Sequence, residues 1–224
     1  MFRLIIFFMN AVKSFFLILL VLSFAGAEDK KPALRNDSFF KEGSLSNAEK
    51  AIREDVWELQ VESGAMFDIG GWDTNYQTFP QMLSLNWNMD EVGNKGLLRG
   101  NTVFQWTGFY LPIDRGAETR MLGALAGPMY QFVQPGKNWV PYIGARVGLG
   151  FVDSVPNATK QGQGQDFCFV FTVTGGCKYY ITERFFAGLE LNYLHASNGG
   201  LSEPARKNYG WNHLGPQAVL GCNF

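Results

Sequence analysis

The chain holds only two histidines, His195 and His213. The first opens the run His195-Ala196-Ser197-Asn198-Gly199-Gly200. On an extended segment, residues two apart share a face, so an imidazole at 195 lies beside a hydroxyl at 197. That pair is the base and nucleophile of a serine hydrolase. The glycines let backbone N–H groups come close to a developing oxyanion, which makes Asn198, Gly199 and Gly200 the candidate donors. A lone His-x-Ser arises often by chance, so the elements that carry it decide what it is worth.

Those elements read as strands. From Trp57, the apolar residues Leu59, Val61, Ala65, Phe67 and Ile69 alternate with Glu58, Gln60, Glu62 and Asp68. Period-2 alternation marks a strand with one apolar and one polar face. The same signal recurs around Leu83–Met89, Leu98–Tyr110, Trp139–Phe151, Phe167–Val173, Phe185–Tyr193 and Leu214–Phe224. A Gly-rich stretch about Arg120 to Val133 is a further strand whose parity is not readable. The total is about eight, the minimum for a bacterial barrel. Short turns are expected near Asp90–Lys95, Gln134–Asn138 and Ile181–Arg184, and longer connections at Asp153–Gly164 and Gly199–Asn208. Short turns on one side and long loops on the other are the habit of outer-membrane barrels. The expected fold is therefore all-β, an eight-stranded antiparallel transmembrane β-barrel of outer-membrane type. Aromatics near strand ends (Trp72, Tyr76, Trp139, Tyr142, Tyr179, Phe185, Tyr209, Trp211) are expected to form membrane girdles.

The amino terminus agrees with export. Arg3 and Lys13 precede the apolar run Ser14 to Phe24, and Ala25-Gly26-Ala27 supplies a small-residue cut site. This is the pattern of a signal peptide spanning residues 1–27. Residues 28–54 are polar and charged, expected to be a loosely ordered periplasmic lead or a short helix, with the barrel at 55–224. Beyond the leader no run nears the ~20 apolar residues a membrane helix needs. A mature chain that enters the membrane must then do so as a closed barrel.

Parity places the His-x-Ser pair. His195 and Ser197 are odd, like Leu189, Leu191 and Tyr193 on the same strand. They fall on its lipid-facing side, at its outer end. On the last strand the lipid-facing residues are even, so Asn212 lies near the same rim. Polar groups on an apolar face cost desolvation without return, unless the face binds a polar part of a lipid. His213 has the opposite parity and is expected in the lumen.

Composition excludes other classes. The 224 residues carry 19 basic and 20 acidic side chains, so no basic surface points to nucleic acid. The three cysteines, Cys168, Cys177 and Cys222, are odd in number. Cys168 and Cys177 differ in parity, so a disulfide within one strand is not expected. No His stands near them at ligand spacing, and no metal is expected.

With these residues in view, the C-terminal stretch resembles the lipid A 3-O-deacylases of the outer membrane, PagL type. The corresponding letters are His195, Ser197, Asn198, Gly200, Pro204, Asn208, Gly210 and Asn212. The resemblance covers about the last thirty residues. It implies a site on the outer wall of an eight-stranded barrel, and hydrolysis of the 3-O-linked acyl ester of lipid A without a cofactor. It also implies lipopolysaccharide of the outer leaflet as substrate and delivery by the barrel-assembly machinery; association with a second copy is a further candidate. One position departs: the family's third member is Glu, and Asn212 stands there after a three-residue insertion. An Asn oxygen still holds an imidazole in one tautomer, but without charge. Glu203, in the preceding loop, is the substitute candidate. The competing function is a catalytically weak or structural small barrel, porin-like or membrane-stabilising, indifferent to Ser197.

Overall fold

The computed structural model describes residues 45–70, 76–155 and 162–224. The leader expected at 1–27 lies outside the described residues, as does most of the segment 28–54.

Among the described residues ten strand segments make one antiparallel sheet: β1 (Trp57–Gly64), β2 (Met66–Asp68), β3 (Gln77–Thr78), β4 (Gln81–Asn88), β5 (Gly100–Arg115), β6 (Arg120–Phe132), β7 (Trp139–Val152), β8 (Phe167–Tyr180), β9 (Phe185–Ser197) and β10 (Trp211–Asn223). Segments β1 and β2 are one interrupted strand, because both pair with β10. Segments β3 and β4 are another, because both pair with β5. Eight strands result, and the pairing of β1 with β10, from Glu58↔Asn223 to Gly64↔Gln217, closes the barrel. Closure matters because lipid cannot satisfy an open edge.

Burial decides which face meets lipid. The odd residues of β1, Leu59 and Val61, are exposed, while Glu58, Gln60 and Glu62 are buried. Leu83, Trp106, Leu122, Val147, Leu149, Phe169, Leu189, Leu191 and Leu220 are exposed on the other strands. A soluble barrel would do the reverse. The parity of β6, unreadable beforehand, puts Met121, Leu125 and Met129 inside and Leu122 outside. Cys168 faces in and is buried; Cys177 is only half-buried, as opposite parity requires.

The lumen is packed in layers. Toward the outer end Met66, Met82, Phe109, Leu111, Met121, Leu125, Leu194 and Trp211 form an apolar cluster. Below it lies a polar belt. Arg146 donates to Glu62 at 2.9 and 3.0 Å and to Thr107 at 3.0 Å. Lys178 pairs with Glu58 at 2.7 Å, and Tyr180 donates to the same carboxylate at 3.0 Å. At the opposite end a short helix, Asn47–Ala51, caps the barrel. Ser46 and Glu49 form a capping box at its start. Its Ala48 and Ala51, with Ile52, pack on Val133, Val140, Tyr180, Phe186 and Val219. Of the lead or short helix expected at 28–54, residues 47–51 form the helix.

The girdle expectation needs correction. Trp139, Tyr179 and Phe185 are exposed on the outer wall, but Tyr76, Tyr142 and Trp211 are buried inside the barrel. Proximity to a strand end says nothing of face; parity does. Tyr142 donates to Glu190 at 2.7 Å, and Trp211 stacks on His213 with centroids 5.6 Å apart.

Candidate active site

Strands β9 and β10 hold the site. Their register sets Asn212 directly opposite His195, and Trp211 opposite Ala196. On the other side of β9, Phe171 stands opposite His195 and Phe169 opposite Ser197. The site is therefore a polar strip framed by apolar rings on the outer wall.

Asn212 Oδ1 lies 2.9 Å from His195 Nδ1. The same oxygen accepts the Tyr193 hydroxyl at 2.7 Å. A carbonyl oxygen can only accept, so the contact requires the proton on Nδ1. Nε2 is then the basic nitrogen of the ring. Tyr193 is two residues before His195 on the same face; its hydroxyl was not read as part of the site, since Tyr193 counts among the apolar residues in the alternation.

Ser197 shares that face. Its Oγ accepts the Gly199 N–H at 3.1 Å and the Asn208 side-chain amide at 2.8 Å. A hydroxyl has two lone pairs and one proton, so both acceptances leave the proton to be donated outward. Asn208 is among the shared letters but was not assigned a site role. Gly210, at φ +64°, turns the chain back onto β10. A Cβ there would make only ordinary contact with Ser197, at 3.7 Å from its Oγ, so it is the left-handed φ that calls for glycine.

The three expected oxyanion donors separate. The Gly199 N–H points at Ser197 Oγ. The Gly200 N–H is given to Asn198 Oδ1 at 2.8 Å. Asn198 itself is buried, with even parity, and its amide donates to Ser202 at 2.8 Å. Its side chain braces the loop from below. Glu203 is exposed in that loop, where Oε1 accepts the Asn208 N–H at 3.4 Å. The imidazole meets Asn212, and Glu203 supports Asn208 instead.

Outer loops brace this arrangement. Gln163 donates to the Ala196 carbonyl, between His195 and Ser197, at 3.1 Å. Its own N–H is held by Glu118 at 2.6 Å, and Glu118 also accepts the Tyr76 hydroxyl. Burial pushes the Glu118 carboxyl above the ordinary range. His213 is buried in the lumen, as its parity requires, with Nδ1 3.5 Å from Thr78.

A closed barrel with apolar walls outward, and an imidazole, a hydroxyl and an amide on that wall, defines an outer-membrane protein built to meet lipid. The particular family follows from comparison. The family model of lipid A 3-O-deacylase (PagL) matches residues 81–217, and the chain belongs to this family. The crystal structure of the outer membrane enzyme PagL aligns with a TM-score of 0.52 and 21% identity, covering 73% of this chain and 97% of that one. The N-terminal β-barrel domain of Pseudomonas aeruginosa OprF aligns at 0.46 with 15% identity, covering 76% of this chain and 98% of that domain. Neisserial surface protein A aligns at 0.47 with 14% identity, covering 80% and 97%. A search of curated protein sequences finds no match. Family and fold place the chain in the outer membrane.

Proposed function

We propose that this protein is a serine esterase that removes the 3-O-linked acyl chain of lipid A in the outer leaflet. The observation that carries the reading is the 2.9 Å contact between His195 and Asn212 on a wall otherwise given to lipid. It supports Nε2 as general base toward Ser197. Ser197 Oγ attacks the ester carbonyl, its proton passes to Nε2, and the carbonyl electron pair becomes the oxyanion. Collapse of that intermediate expels the sugar oxygen, which takes the proton from the imidazolium. Water then hydrolyses the acyl-enzyme and releases a 3-hydroxy fatty acid. The Gly199 N–H and Asn208 amide hold Ser197 Oγ at rest; as Oγ bonds to the ester carbon they release it and pass to the carbonyl oxygen that takes the charge. Neither Asn198 nor Gly200 has its side-chain or N–H group, respectively, turned that way.

The porin-like alternative requires a passage. Arg146 and Glu62, and Lys178 and Glu58, are essentially fully buried pairs across the lumen. A lumen filled by such a belt does not favour solute transit.

The test is mass spectrometry of lipid A from cells carrying the intact protein or its Ser197→Ala variant. Loss of the 3-O-acyl chain only with intact protein supports the reading. Identical lipid A with both, at equal barrel levels, overturns it.

A further inference from the structure

The capped end of the barrel, away from His195 and Ser197, holds a polar pocket of its own. Its volume is about 450 Å³, and its wall includes Lys50, Arg53, Glu183, Arg184, Asn223 and Phe224. Segments distant in sequence build it: the end of the cap helix, the turn before β9 and the end of β10. They are tied to one another. The Asn47 amide donates to the Ile181 carbonyl at 3.0 Å, Lys50 to Glu183 at 2.8 Å, and the Asn223 N–H to the Arg184 carbonyl at 2.8 Å. The charge of this wall is unbalanced. Lys50 takes Glu183, the one carboxylate side chain in it. Arg53 and Arg184 form no ion pair among the described residues. The Arg184 guanidinium lies 5.7 Å from the Phe185 ring. The Phe224 main-chain oxygen accepts the Trp57 N–H at 3.3 Å, and with a carboxylate at Phe224 counted the wall stays positive. Glu54 and Asp55 line the adjoining depression instead.

Depth in the membrane says what meets these cations. β9 runs from Phe185, beside the pocket, to Ser197 at the outer rim. At ~3.3 Å per residue that is about 40 Å of strand. Tilted by ~40°, it covers about 30 Å of height, the thickness of a hydrocarbon core. With the outer rim at the outer headgroups, the pocket lies at the inner ones. The neighbouring wall agrees. Leu59 and Phe185 stand on either side of Cys222 in the ladder, and both are exposed, as is Phe224. We infer that the pocket binds the phosphate of an inner-leaflet phospholipid, held by Arg53 and Arg184, with the acyl chains along Leu59, Phe185 and Phe224. A guanidinium offers paired N–H donors that match phosphate oxygens, which a carboxylate-free pair of arginines leaves available. Because the wall comes from the helix, the turn and β10, a bound headgroup ties these three together and steadies the capped end. The site holds no reacting group and is independent of the esterase reading.

The experiment is thermal unfolding of the purified protein in dodecyl maltoside micelles, read by heat-modifiability on gels. Three additions are compared: dioleoylphosphatidylethanolamine, dioleoylglycerol and inorganic phosphate. The phospholipid should raise Tm by roughly 5 °C, as a ligand of the folded state does well above its Kd. Dioleoylglycerol, which has the same chains without the phosphate, should not, and neither should inorganic phosphate. The double variant Arg53→Gln with Arg184→Gln should fold and lose most of the rise. Should that variant not fold, the single change Arg184→Gln decides by the same comparison, with a smaller loss. An equal rise with dioleoylglycerol means that chains alone suffice. An equal rise with inorganic phosphate means a free anion and not a lipid. A full rise in the glutamine variants means binding elsewhere. Each of these three, like no rise at all in wild type, overturns the proposal.

Discussion

Two polar clusters share the same strands and differ in almost everything else. The lumen belt, Arg146 with Glu62 and Lys178 with Glu58, is charged, buried and densely bonded. Arg146 alone reaches Glu62, Ser84, Thr107, Thr172 and Thr174. The wall strip, His195, Ser197 and Asn212, is polar and only half-buried, on the face that meets lipid. Neighbouring residues of β9 serve both: Glu190 and Asn192 point in, His195 and Ser197 point out. The contrast teaches that one face of this barrel is spent on holding it together, while the other carries the proposed chemistry. Damage to each should be separable.

The largest effect is expected on the wall. Ser197→Ala and His195→Ala should each remove nearly all activity, on the order of 10⁴-fold or more, with the double variant little worse than either. Heat-modifiability on gels should be unchanged. Substantial activity in either single variant would end the assignment of this pair.

Breaking the belt should give the converse. Arg146→Ala leaves Glu62 buried without its partner, a loss of about 3–5 kcal/mol. Denaturant unfolding in detergent should show it, while activity per folded molecule stays near normal. A similar-volume apolar replacement of both Arg146 and Glu62 should recover much of the stability. If Arg146→Ala instead abolished activity in a stable barrel, the two clusters would not be independent.

Within the wall, Asn212→Ala should cut kcat by about two orders of magnitude, with KM little changed. Asn208→Ala should cost ~100- to 1,000-fold in kcat, as the loss of one oxyanion donor does. Glu203→Gln should be mild, because its carboxylate meets only the Asn208 N–H at 3.4 Å. A ranking with Glu203→Gln above Asn212→Ala would redraw the site with the loop folded over it.

Much of this was legible in the chain. Alternation is a property of neighbouring residues along a strand, so Leu59 against Gln60, or His195 against Leu194, sorts by counting. Strand number and the placing of His213 on the face opposite to His195 follow from that count. So does the placing of His195 and Asn212 on one face, since the parities of those two strands are readable; their direct pairing is set by the register. The apolar outer wall needed burial to tell it from a soluble barrel turned the other way.

Tertiary structure decided what depends on loops, registers and ends. Tyr142 and Trp211 sit at strand ends like girdle residues, but face inward, because position along a strand and face are independent. The candidate oxyanion donors could not be ranked from glycine content, because the Asn198 side chain takes the Gly200 N–H. Asn208 reaches Ser197 only through the path of a loop that shows no periodicity. Ile69 is far from Asn212 in sequence, and its N–H meets the Asn212 carbonyl only because the first and last strands close the barrel. Local order is written in the spacing of neighbouring residues; contact between distant ones is set by how the sheet closes on itself.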